Sequence, residues 1–193
     1  MAWLSNALGG IGMEFFIQVS KPICLNNYDN ADESLADAME TIFPLLTEGA
    51  IIMWNYIPIR LSYKYDISYM LDDIVDMLLM IRTKEKGKME IQWLPDTFRC
   101  DWKLQWNEGT IKIKSEWGGI IGDLEKILNK NSEVCLKVNE FRGEWKKLLE
   151  LVIKNLKNSG YQENQIRNMD NLLVEYNKIS EEGILYQEKK IKL

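Results

Sequence analysis

Histidine is absent from all 193 residues. That removes Ser-His-Asp and Cys-His nucleophile systems, imidazole general bases and every histidine-containing metal site. Cysteine is scarce: Cys24, Cys100 and Cys135 are odd in number, far apart and without a C-x-x-C pair. A disulfide framework and a thiolate zinc site are therefore not expected, and a reducing, cytoplasmic compartment fits. No stretch reaches the roughly 18 uncharged apolar residues of a membrane span. The longest uncharged run, Met1–Met13, lacks the basic start and small-residue cleavage site of a secretory signal. Neither G-x-G-x-x-G, G-x-x-x-x-G-K-[ST] nor G-x-S-x-G occurs. Gly118-Gly119-Ile120-Ile121-Gly122 has the glycines of a phosphate loop without its lysine, and reads instead as an exit from a sheet into a helix.

What remains is an ordinary globular composition, 46% hydrophobic and 27% charged, with a net charge of -5. The charge is uneven. Residues 1–81 carry eleven acids against Lys21, Arg60 and Lys64, a balance of -8; the remainder carries +3. An acidic first half repels nucleic acid and attracts basic partners.

Apolar periodicity predicts a strand at Glu14–Ser20, a short apolar run at Ile51–Trp54 and a half-buried strand from Ile57 to Tyr65. Helices are predicted at about 32–43, 66–82, 121–130, 139–158 and 163–178, the second capped by Asp66. Strands and helices interleave, so a single α+β domain over 1–193 is expected, with a frayed Lys-rich tail at about 181–193.

The most legible segment is 88–117. Met89, Ile91 and Trp93, then Phe98, Cys100, Trp102, Leu104 and Trp106, then Ile111, Ile113 and Trp117 alternate with polar residues. Leu94-Pro95-Asp96-Thr97 and Asn107-Glu108-Gly109-Thr110 are turn chemistry, giving a three-stranded antiparallel meander packed against helices. Because opposite residues share a face, the register follows. Trp106 pairs with Ile111, Leu104 with Ile113, Trp102 with Ser115 and Cys100 with Trp117. Trp93 is expected opposite Phe98, Ile91 opposite Cys100 and Met89 opposite Trp102. The tryptophans lie on the apolar face, as core.

That register has a polar consequence. Asp101 would face Glu90 on one side and Glu116 on the other, beside a row formed by Lys88, Lys103 and Lys114. Three carboxylates in line could hold a cation, or act as the carboxylate pair of a metal-dependent hydrolase or glycosidase. They also fit a solvated face whose rows neutralise each other diagonally.

On the helix at 66–82, Met70, Ile74, Met77, Leu78 and Ile81 fall on one arc. Asp72, Asp73 and Asp76 fall opposite, with Tyr69 beside them, either as a bare docking face for a basic partner or as the wet side of an amphipathic helix. The acidic first half, this helix and the Trp93…Trp102…Trp106…Trp117 meander give the chain a general resemblance to the small acidic α+β immunity proteins that bacteria encode beside polymorphic toxins. The resemblance spans roughly 13–160 and rests on composition and style, with no diagnostic motif. It implies a non-enzymatic cytoplasmic protein that needs no cofactor and blocks a cognate, often basic, toxin domain by binding it. The alternatives are a hydrolase built on Glu90, Asp101 and Glu116, or a housekeeping scaffold.

Overall fold

The computed structural model describes residues 14–179. The uncharged stretch Met1–Met13 and the expected tail at 181–193 lie outside them. The architecture is α+β, as expected, and its strands form two antiparallel sheets, the second of which contains the expected three-stranded meander.

The first sheet comprises β1 (Phe15–Gln18), β2 (Ala50–Trp54) and β3 (Ile57–Leu61), in that order. Its β2–β3 hairpin turns on two residues, Asn55 and Tyr56, both at positive φ, the type I′ geometry that matches strand twist. Between β1 and β2 lies helix α1 (Leu35–Ile42), opened by a capping box. Ser34 accepts from the Asp37 amide while the Asp37 carboxylate accepts from Ser34. The strand expected to run to Tyr65 ends at Leu61. Tyr63–Ile67 forms a π-helical turn instead, capped by Ser62, and leads into α2 (Ser68–Thr83). The cap is therefore Ser62 and not Asp66.

The second sheet is a four-stranded meander of β4 (Gly87–Trp93), β5 (Phe98–Asn107), β6 (Thr110–Ile120) and β7 (Glu133–Lys137). The β5–β6 register is the expected one, from Trp106–Ile111 to Cys100–Trp117. It is set by a two-residue turn, with Glu108 and Gly109 both at positive φ. The β4–β5 register differs by two residues: Trp93 pairs with Cys100, Ile91 with Trp102 and Met89 with Leu104. The connection is longer than Leu94–Thr97. Phe98 and Arg99 pair only with Ile120 and Gly119 of β6, and the strand is irregular between Arg99 and Cys100. A slip of two keeps every side chain on its face, so alternation alone could not detect it. Gly87 stands against the Trp106 indole so closely that a Cβ there would lie 2.4 Å from the ring, which fixes the start of β4.

The glycine pair Gly118-Gly119 belongs to β6 and does not end it. The break comes at Gly122 and Asp123, both at positive φ, before a short α3 (Glu125–Lys130). Helix α4 (Val138–Asn158) matches expectation, whereas α5 (Met169–Lys178) starts six residues late, after Asn168 in the left-handed conformation.

One hydrophobic cluster joins both sheets and the helices. At its centre Trp54 of β2 lies 5.4 Å from Trp102 and 5.1 Å from Trp117, ring centroid to centroid. Phe15 packs against Trp54, Trp102, Phe141 and Trp145. Such aromatic pairs add about 0.5–1.5 kcal/mol each beyond their area. Buried charge joins α5 to this body. Glu175, 1% exposed, bonds Arg82 of α2 at 2.7 Å and lies 3.5 Å from Arg142 of α4. Burial pushes the Arg142 pKa down, and Glu175 opposes that shift.

Candidate functional site

Four stretches of chain, together with the start of α2, meet around a groove of about 660 Å³. Leu45 comes from the loop after α1, Tyr65 from the π-helical turn and Tyr69 from the first turn of α2. Leu94 comes from the β4–β5 connection and Ile121 from the end of β6. These five large apolar side chains are between 43% and 71% exposed. Exposed apolar residues scattered singly are ordinary, whereas these five gather around one groove.

The wall between them is polar. Asp66 is 2% exposed and lines the groove. Its Oδ2 accepts from the Ser62 amide at 2.7 Å, and its Oδ1 accepts from the Thr97 hydroxyl. The carboxylate thus ties the end of β3 to the β4–β5 connection. Burial pushes its pKa up, and the two donors pull the other way. The nearby cations are engaged elsewhere. Arg60 donates to the Thr47 carbonyl at 3.2 Å, and Lys64 donates to the Glu40 carbonyl and lies 5.9 Å from the Tyr65 ring centroid.

Of the residues that the sequence placed in a docking face, Tyr69 lines this groove. Asp73 and Asp76 are exposed on the same outer face of α2, four and seven residues further on. Burial and the neighbouring Asp76 and Asp72 carboxylates raise the Asp73 pKa. Asp72 is not bare: its Oδ1 accepts from the Asn168 side chain at 2.8 Å, at the start of α5. It acts as a strut, and the expected trio is reduced to a pair.

The three-carboxylate row does not form. The two-residue slip places Glu90 opposite Lys103 and Gln92 opposite Asp101, leaving only Asp101 opposite Glu116. The ammonium row breaks likewise: Lys88 faces Gln105, while Lys103 still faces Lys114. Among the described residues no three of Asp, Glu and Cys converge as a cation site. Cys100 is buried, and burial pushes its thiol pKa far up, so it is no nucleophile.

Sequence reasoning missed Leu45, Leu94 and Ile121, and treated Asp66 only as a cap. The available signal was apolar residues within turns: Leu45-Leu46 after Pro44, Leu94 before Pro95, and Ile121 between Ile120 and Gly122. Among the described residues no helix is long and apolar enough to cross a membrane. No family model, no curated protein and no solved structure matches the chain.

Proposed function

We propose that this chain is a non-enzymatic cytoplasmic binding protein of the immunity kind. On this reading it occludes a basic toxin domain through the groove and the adjoining outer face of α2. The observation that carries the reading is the ring of exposed Leu45, Tyr65, Tyr69, Leu94 and Ile121, next to the exposed Asp73 and Asp76. An apolar centre supplies affinity, while a charged margin speeds and orients encounter. The hydrolase alternative is weakened by the separation of Glu90 from Asp101 and Glu116.

The test starts from capture of the partner from the native organism. On this reading the captured protein stops growth when expressed alone, and co-expression of this chain restores it. Leu94→Asp abolishes both the rescue and the complex. A captured partner that is harmless, or a rescue indifferent to Leu94→Asp, would contradict the assignment.

A further inference from the structure

We infer that the groove receives a basic side chain of the protein partner, a lysine or arginine flanked by apolar residues, and that Asp66 is its acceptor. This rests on the docking reading above and names the chemistry at its centre.

Asp66 is buried in the groove wall, and among the described residues no lysine or arginine pairs with it. A buried carboxylate without a counter-charge is costly, and proteins usually pair it. Glu175 shows the usual arrangement in this same molecule, held by Arg82 and Arg142. Among the described residues Asp66 has only the Ser62 amide and the Thr97 hydroxyl, which occupy two of the roughly four acceptor positions of a carboxylate. Arg60 and Lys64, the cations of the adjacent chain, donate to the backbone carbonyls of Thr47 and Glu40. The other acid with a side chain free of a lysine or arginine on this groove, Glu48, accepts from Thr47, and Asp96 is paired with Arg99. Glu48, Asp66 and Asp96 are matched in number by Arg60, Lys64 and Arg99, so the negative excess beside the groove comes from the exposed Asp73 and Asp76. The apolar rim suits the aliphatic stem of a lysine or arginine, whose charged end is carried to the wall. A purely apolar segment would leave Asp66 sealed from water with its charge unmatched.

The test selects phage-displayed random 12-residue peptides on the immobilised chain and measures the best clone as a synthetic peptide. Enriched sequences are expected to carry lysine or arginine between apolar residues. Replacing that residue by norleucine should weaken binding by about tenfold or more to the wild-type chain, and by little to Asp66→Asn. If Asp66→Asn fails to fold by circular dichroism, Asp73→Lys with Asp76→Lys takes its place: norleucine should still weaken binding to that variant, which keeps Asp66, and a norleucine effect lost there would move the acceptor to the outer face of α2 and overturn the inference. A peptide lost with Leu94→Asp but indifferent to norleucine would overturn the ionic inference and leave the docking reading standing. Peptides indifferent to Leu94→Asp, or no enrichment, would overturn both. Self-association of the chain that Leu94→Asp abolishes would assign the groove to a second copy and overturn the inference.

Discussion

The four-stranded meander and the groove are built from opposite logic. In the meander, Trp93, Trp102, Trp106 and Trp117 recur every few residues, all point inward, and all are buried. In the groove, Leu45, Tyr65, Tyr69, Leu94 and Ile121 come from distant points of the chain and stay exposed. The first is a periodic pattern that a single strand pair can satisfy. The second exists only after β3, α2 and the β4–β5 connection have been brought together. On the docking reading proposed above, stability and recognition separate, and substitutions in the two regions should separate in the same way.

The largest stability loss is expected in the aromatic centre. Trp102→Ala should cost about 3–5 kcal/mol in urea denaturation, as truncation of large buried aromatics does. Trp102→Phe should cost less than that, because phenylalanine keeps most of the buried aromatic packing around Phe15, Trp54 and Trp93. A loss for Phe equal to that for Ala would mean that the indole nitrogen matters in a way the packing does not explain. Glu175→Gln comes next. Removing the carboxylate leaves Arg142, 8% exposed, without its counter-charge, at a cost of about 3 kcal/mol or more.

Groove substitutions should behave in the reverse manner. Leu94→Asp and Ile121→Asp should shift stability by no more than about 0.5 kcal/mol, because both side chains already face solvent. They should nevertheless remove partner binding. Asp73→Lys with Asp76→Lys should slow association by about tenfold at low ionic strength and leave the dissociation rate nearly unchanged. Adding Asp72→Lys should lower stability as well, since Asp72 receives the Asn168 amide.

The smallest effect concerns pH. Asp66 has a folded pKa raised above its ordinary 3.8, chiefly by burial. A carboxyl raised on folding contributes stability below its unfolded value, and that contribution is lost as pH rises through the folded one. The stability of wild type minus that of Asp66→Asn should therefore be greatest below the unfolded value and fall as pH rises above about 4. A difference that instead grew with pH would show that the Ser62 and Thr97 donors outweigh burial.

The comparison also explains what could be read from the sequence. Alternation placed every meander tryptophan on the correct face, and the Asn107–Thr110 turn fixed the β5–β6 register. It could not measure the length of the 94–99 connection, because a two-residue slip preserves alternation. The acid row inferred for Glu90, Asp101 and Glu116 failed for that reason alone. Helix periodicity separated the buried arc of α2 from Tyr69, Asp73 and Asp76. It could not foresee that Asn168 would reach Asp72, a contact 96 residues away in sequence. Strand β7 was missed because Glu133–Lys137 follows only a brief α3 and carries a weak apolar signal. The groove was invisible for a deeper reason: its residues have no common period, and their only mark was apolar character in turns.

The most direct test of the docking surface is site-specific photocrosslinking in the native organism. A benzophenone amino acid is placed at Tyr69 or Leu94 in the groove and, for comparison, at Glu116 on the exposed face of the meander. The account predicts the same covalent adduct with one partner protein from Tyr69 and Leu94, and none from Glu116. An adduct formed from Glu116 while the groove positions stay silent would contradict it.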